Sequence, residues 1–155
     1  MLEAGDRAPA FRLPDQDGNE VRLSDLKGET VVLYFYPRAD TPGCTTQACG
    51  VRDRRADYKK AGARVIGVSP DTVEAVKKFA DKFDLDFTLL ADADHAVAEK
   101  YGTWVEKSMY GKKYMAVQRT TFIIDAKGKI ARVFPKVSPK THDDVVLKAL
   151  AEATT

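Results

Sequence analysis

The chain is poor in the residues that hold metals and staple folds: among 155 residues there are two cysteines, Cys44 and Cys49, and two histidines, His95 and His142. A zinc site would have to draw four ligands from widely separated points. Nowhere do about 18 apolar residues run together, so no segment has the make-up of a membrane-spanning helix. The N-terminal MLEAGDRAPAF has neither the basic start nor the apolar stretch of a secretory signal, and a soluble, cytoplasmic protein is expected. Net charge is only +2, with basic and acidic residues interspersed, which gives no electrostatic case for a nucleic-acid or membrane partner. Repeats, linkers and low-complexity tracts are missing as well. What remains, 44% hydrophobic and 31% charged residues, is the make-up of one globular domain spanning 1–155 with a single core. A permanent disulfide is out of place in a reducing compartment, so a redox or nucleophilic role for the two thiols comes to the front.

Both cysteines sit in one stretch, YPRADTPGCTTQAC, where the apolar run Val31 to Tyr36 gives way to a polar segment of helical character. Thr41 can cap that helix and Pro42 can take its first position, where a missing amide proton costs nothing. Cys44 then falls in the first turn. Unpaired amides and the positive end of the helix dipole favour thiolate over thiol there, and the thiolate is the nucleophile.

Around this stretch the chain alternates. Phe11 to Leu13 and Val21 to Leu23 flank an Asp17-Gly18 turn and predict an N-terminal hairpin, followed by a single turn at Ser24 to Gly28. VVLYFY is continuously apolar and β-branched or aromatic, the pattern of a central strand buried on both faces. Cys44 to about Ala61 reads as one helix stopped by Gly62, RVIGV at Arg64 to Val68 as a strand, Asp71 to Phe83 as an amphipathic helix, Phe87 to Leu90 as a strand, and Asp94 to Tyr101 as a short helix ended by Gly102. Thr103 to Gln118 has no convincing period and is expected to be a long loop with short strand pieces. TTFIID and KIARVFP predict a second hairpin across Ala126-Lys127-Gly128, and His142 to Ala153 a closing helix. The order predicts an α/β fold: a mixed, largely parallel sheet flanked by helices.

The spacing of the cysteines is neither the C-x-x-C of dithiol oxidoreductases nor a zinc pattern. Five residues along an ideal helix separate the two Cα atoms by roughly 8 to 9 Å. A disulfide needs them within about 7 Å. If the two bond, the start of the helix must unwind first.

Pro37, Thr41 and Cys44 form P-x-x-x-T-x-x-C, and FYPRADTPGCTTQAC resembles the active-site segment of the peroxiredoxins, in their bacterioferritin comigratory protein or peroxiredoxin Q subgroup. GDRAPAFRLPDQDG, FTLLAD, WVEKSMYGKKY and QRTTFIIDAKGKI are similar to the same subgroup, so the resemblance covers nearly the whole chain. It implies a thioredoxin-like three-layer sandwich with a central mixed sheet and an added N-terminal β-hairpin, and a cofactor-free thiol peroxidase acting on hydrogen peroxide and organic hydroperoxides. By the same resemblance Cys44 is the peroxidatic cysteine and Cys49 the resolving one, joined after oxidation in an intramolecular disulfide that thioredoxin or a similar dithiol donor reduces. Thr41 and Arg119 would contact thiolate and peroxide, Gly43 would line the substrate position, and Pro37 would shield the pocket from water. Gln47 departs from the glutamate of many peroxiredoxins, and leaves in doubt any part for a carboxylate there. With no cysteine-bearing tail after the last helix, an intersubunit disulfide is not expected, and the resemblance favours a monomer.

Plainer roles stand beside these. Arg119 is one of many arginines, Thr41 a simple N-cap, Pro37 a strand terminator. Trp104 and the neighbouring aromatics suit core or sheet-edge cover better than substrate contact. His95 and His142 are expected exposed near helix starts, with no assigned part. Two rival functions remain open at this point: a thiol-disulfide oxidoreductase on the same fold, and a non-enzymatic redox sensor or holdase using the helix-to-loop change.

Overall fold

The structure, a computed structural model, describes residues 2–153. The N-terminal hairpin pairs β1 (Arg12–Pro14) with β2 (Glu20–Arg22). Its loop is fixed by the Asp15 carboxylate, which accepts from the amides of Asp17 and Asn19, while Gly18 supplies a φ of +81°. A 3-10 turn at Leu23–Leu26 leads into β3 (Thr30–Phe35). Then follow α1 (Pro42–Asp53), α2 (Arg55–Lys60), β4 (Ala63–Ser69), α3 (Val73–Lys82), β5 (Thr88–Ala91) and α4 (Ala96–Lys100). The chain continues through β6 (Trp104–Met109), β7 (Lys112–Val117), β8 (Thr120–Ile124), β9 (Ile130–Phe134) and α5 (His142–Ala153).

Five strands form the central sheet in the order β5-β4-β3-β8-β9, with β3 in the middle. Its two neighbours, β4 and β8, each form a ladder with it, so neither edge of β3 is open. Alternate residues of β3 and Tyr36, which follows it, then feed two cores. Val32, Tyr34 and Tyr36 face side chains of α1, α2, α3 and α5. Val31, Leu33 and Phe35 face the N-terminal hairpin and α4. Burying each such side chain contributes about 1.5–3 kcal/mol, and the double-sided burial is why VVLYFY shows no polar alternation.

Three expectations need correction. The sheet is mixed but not largely parallel: β3-β4 and β4-β5 are parallel, whereas β3-β8 and β8-β9 are antiparallel. The helix expected to continue unbroken to about Ala61 breaks at Arg54, whose φ of −103° and ψ of 12° leave the helical region. The break turns Tyr58 and Arg54 toward α5. Thr103 to Gln118 is not a loop but a regular two-stranded ribbon, β6 against β7 from Trp104↔Val117 to Met109↔Lys112. Tyr110 and Gly111, at φ +52° and +78°, make its two-residue turn. Because Met109, Tyr114 and Met115 stand exposed while only the base packs on the core, the ribbon lacks the one-sided alternation that would have revealed it.

Tyr34, Tyr36, Tyr58 and Tyr101 are fully buried, and burial pushes all four phenols above their ordinary range. A phenol with a raised folded-state pKa keeps its proton after the unfolded chain has released its own. Stability contributed this way is complete below about pH 10 and is lost as pH rises, at about 1.4 kcal/mol per group and pH unit. Four such groups would remove about 5.6 kcal/mol by pH 11, a large share of a domain's stability. An alkaline titration followed at 295 nm and by circular dichroism is expected to show four of the six tyrosines ionising only as the fold is lost. Ionisation of all six with structure intact would contradict the packing.

Candidate active site

The loop leaving β3 climbs through Pro37 to Thr41, and α1 starts directly after it. Pro42 opens the helix, as expected. Thr41 stands at the N-cap position with extended φ and ψ, but its hydroxyl makes no capping bond. It donates to the Arg38 carbonyl at 2.9 Å instead, because the left-handed Asp40, at φ +61°, folds the loop back under it. The first bond of the ladder runs from the Thr45 amide to the Thr41 carbonyl at 2.8 Å, which leaves the amides of Gly43 and Cys44 ahead of it. Cys44, 1% exposed, is therefore a thiol in the first turn, beside the positive end of a twelve-residue helix.

Arg119 arrives from the far side of the sequence, at the junction of β7 and β8. Both its neighbours are tied down: the Gln118 amide donates to the Thr103 carbonyl (2.7 Å), its side chain to the Pro135 carbonyl (2.6 Å), and the Thr120 hydroxyl to the Gln118 carbonyl. The guanidinium is thus aimed by its frame. Nη2 donates to Cys44 Sγ at 3.3 Å and Nη1 to Gln47 Oε1 at 2.5 Å. One rigid fork reaches two residues a helical turn apart, which an ammonium point charge cannot copy. Gly43 makes room for it, since a β-carbon there would stand 3.1 Å from Nη2.

Gln47 is completely buried, and its Nε2 has no hydrogen-bond partner among the described residues. With Arg119 donating, the amide must turn its oxygen to the guanidinium. Being neutral, it orients the cation without cancelling the charge that faces the sulfur. Pro37, half-buried, lies just beyond the last residue of β3. Cys49 is half-buried on the same unbroken helix, and both cysteines are free thiols.

The cleft beside Arg119, about 480 Å³, is lined by Val105, Glu106, Lys107, Gln118, Lys136 and Val137 together with Arg119 itself. A more apolar pocket of about 260 Å³ lies at the other end of β3, around Ala8, Leu26, Val31 and Ile124, and has no cysteine or histidine in its lining. Arg119, which is in contact with Cys44 through a hydrogen bond, lines the first of these. Of the residues anticipated from sequence, the structure brings Cys44, Gly43, Gln47 and Arg119 into one contact set and shows no bond from Thr41 to it. His142 is wholly buried rather than exposed: its ring Nε2 lies 3.0 Å from Thr121 Oγ1 and Nδ1 is 3.3 Å from Asp143 Oδ1. A histidine opening a helix gives no sign in sequence of the sheet it packs on. His95 is half-exposed, stacked on Trp104 with ring centroids 3.9 Å apart.

Residues 4–133 match the AhpC/TSA family. The chain is 54% identical to peroxiredoxin Bcp of Escherichia coli (strain K12) over 151 residues, 97% of each chain. Among solved structures, peroxidoxin BcpB of Mycobacterium tuberculosis is 40% identical with a TM-score of 0.87, covering 98% of both chains. The Xanthomonas campestris bacterioferritin comigratory protein, studied for alkyl peroxide reduction, is 32% identical with a TM-score of 0.92 over 99% of this chain and 100% of that one. A thiol and a guanidinium held together at a helix start, on a mixed sheet that superposes on these proteins throughout, place the chain in the AhpC/TSA family: it is a thioredoxin-fold peroxiredoxin of the Bcp and peroxiredoxin Q kind, and a thiol peroxidase.

Proposed function

We propose that Cys44 is the peroxidatic nucleophile of a cycle completed within one chain, and that the 3.3 Å contact from Arg119 Nη2 to its sulfur carries this reading. The Cys44 thiolate attacks one peroxide oxygen, the O–O bond breaks, and the departing alkoxide or hydroxide takes a proton to leave as alcohol or water. Cys44 becomes a sulfenic acid. Arg119 meets negative charge on the sulfur before attack and on the oxygens during it, with donors already fixed in place. The Thr41 hydroxyl has its hydrogen committed to the Arg38 carbonyl, so toward a peroxide it acts as an acceptor, receiving the O–H. Pro37 and Gly43 complete the pocket wall, the proline excluding water and the glycine admitting both guanidinium and substrate.

In the second half, the Cys49 sulfur attacks Cys44 Sγ, the S–O bond breaks, water leaves and an S–S bond forms. Helix geometry keeps the two residues too far apart for this until the first turns of α1 unwind. A dithiol protein, thioredoxin by family likeness, reduces the disulfide. Hydrogen peroxide and organic hydroperoxides are the proposed substrates, the latter supported by the alkyl peroxide chemistry of the X. campestris relative. The enzyme is proposed to act as a monomer. Peroxide consumption measured with thioredoxin and its reductase is expected to show multiple turnovers. Disulfide exchange without peroxide-dependent turnover would replace this reading with that of an oxidoreductase.

A further inference from the structure

Helix α1 is held by two unlike sets of contacts, divided at Cys49. Toward the N-terminus, its side-chain ties to the rest of the fold among the described residues are those of Arg119 to Cys44 and Gln47. Oxidation and movement of Cys44 break the first of these. Beyond Cys49 the helix is anchored to the first turn of α5 through a buried polar cluster unused by the peroxide chemistry. The Asp143 carboxylate lies against the bare Cα of Gly50, where a β-carbon would stand 2.4 Å from Oδ2. Its other oxygen, Oδ1, accepts from the Tyr58 hydroxyl at 2.5 Å. His142 Nδ1 lies 3.3 Å from that same Oδ1 without a hydrogen bond to it, while its Nε2 faces Thr121 on β8. Asp143 is 8% exposed, Tyr58 2%, and His142 and Thr121 not at all. Outside this cluster Arg54 donates to Asp144, and Arg52 donates to the Phe83 carbonyl.

We infer that Asp143 is a positioning residue for the resolving step: it pins α1 at Gly50, so that unwinding after oxidation is confined to Cys44–Cys49 and Cys49 stays at a fixed post for Cys44 to reach. The chemistry of the cluster supports this. The carboxylate fills the space over Gly50, and moving Tyr58, which follows α1 directly on α2, would strip a hydrogen-bond donor from a buried carboxylate, a group that resists being left unpaired. Gly50 is the residue that admits the carboxylate, since any β-carbon there would collide with it. The inference rests on the disulfide cycle proposed above.

Amide exchange read by mass spectrometry, in reduced and peroxide-treated protein, tests it. In the oxidised wild type, amides from Cys44 to Cys49 are expected to exchange about 10²-fold faster than in the reduced form, and those from Arg52 to Tyr58 less than about 3-fold faster. Asp143→Ala moves the boundary, so that the faster exchange runs through Tyr58. Asp143→Asn, which still accepts from Tyr58, restores it. In rapid-quench kinetics Asp143→Ala slows conversion of sulfenic acid to disulfide about 10-fold more than it slows the reaction with peroxide, a split that a general loss of stability does not produce. Tyr58→Phe, which removes one oxygen and keeps the ring, moves the boundary in the same direction and decides the matter if the alanine variant does not fold. A wild-type boundary beyond Tyr58, or an unchanged boundary in the variants, overturns the inference. If peroxide produces no intramolecular disulfide at all, the cycle itself is wrong, and that outcome is told apart by mass.

Discussion

Replacing Cys44 by serine abolishes thioredoxin-coupled peroxide consumption, by at least about 10⁴-fold. The exchange is nearly isosteric at a site 1% exposed, and it leaves the first turn of α1, Gly43 and Arg119 in place. What changes is the atom. A serine hydroxyl is not ionised near neutral pH, and helix start and guanidinium together do not make an alkoxide of it. Activity is therefore lost while the fold stays, and the thermal midpoint should move by only a few degrees. The partner control is Cys49→Ser, which retains the first reaction with peroxide and loses sustained turnover with thioredoxin. Retained turnover in the Cys44 variant would remove the basis of the mechanism.

Arg119→Met is expected to lower the rate constant for reaction with peroxide by about 10²–10³-fold, the usual range for losing a preorganised donor at a site of developing charge. Two bonds disappear at once, to Cys44 Sγ and to Gln47 Oε1. The buried Gln47 is then left with neither end of its amide paired. Arg119→Lys falls between, at about 10–10²-fold, because an ammonium restores charge without the fork that spans both partners. Rapid-quench mass spectrometry of the first oxidation gives these constants free of the reductive half of the cycle. Equal rates for arginine, lysine and methionine would mean that the guanidinium is a bystander.

How far the sequence could be read depended on where each element looks. β3 was legible because both its faces are dry, and the N-terminal hairpin because Asp-Gly marks its turn. The β6-β7 ribbon was not, since it stands away from the core and carries apolar and charged residues on either face. The break at Arg54 and the burial of His142 have one cause: α5 returns from the end of the chain to pack its first turn on α1 and α2, and no local pattern announces a partner some ninety residues away. In the site, Cys44 and its helix start follow from Pro42 and the strand-to-helix change. Arg119 could be found only by resemblance, because a single arginine between two strands looks like any surface cation until the fold brings it to the sulfur. Thr41 shows the limit of local rules. It holds the cap position by backbone conformation, yet its hydroxyl serves the loop behind it.

The sulfur chemistry centred on Cys44 and Cys49 is tested most directly by the intact mass of wild type and Cys49→Ser after one equivalent of peroxide. The wild type should remain a monomer and become lighter by about two mass units, as one disulfide forms and water leaves, whereas Cys49→Ser should gain one oxygen as a trapped sulfenic acid. A covalent dimer as the main wild-type product, or an unchanged mass for either protein, would contradict it.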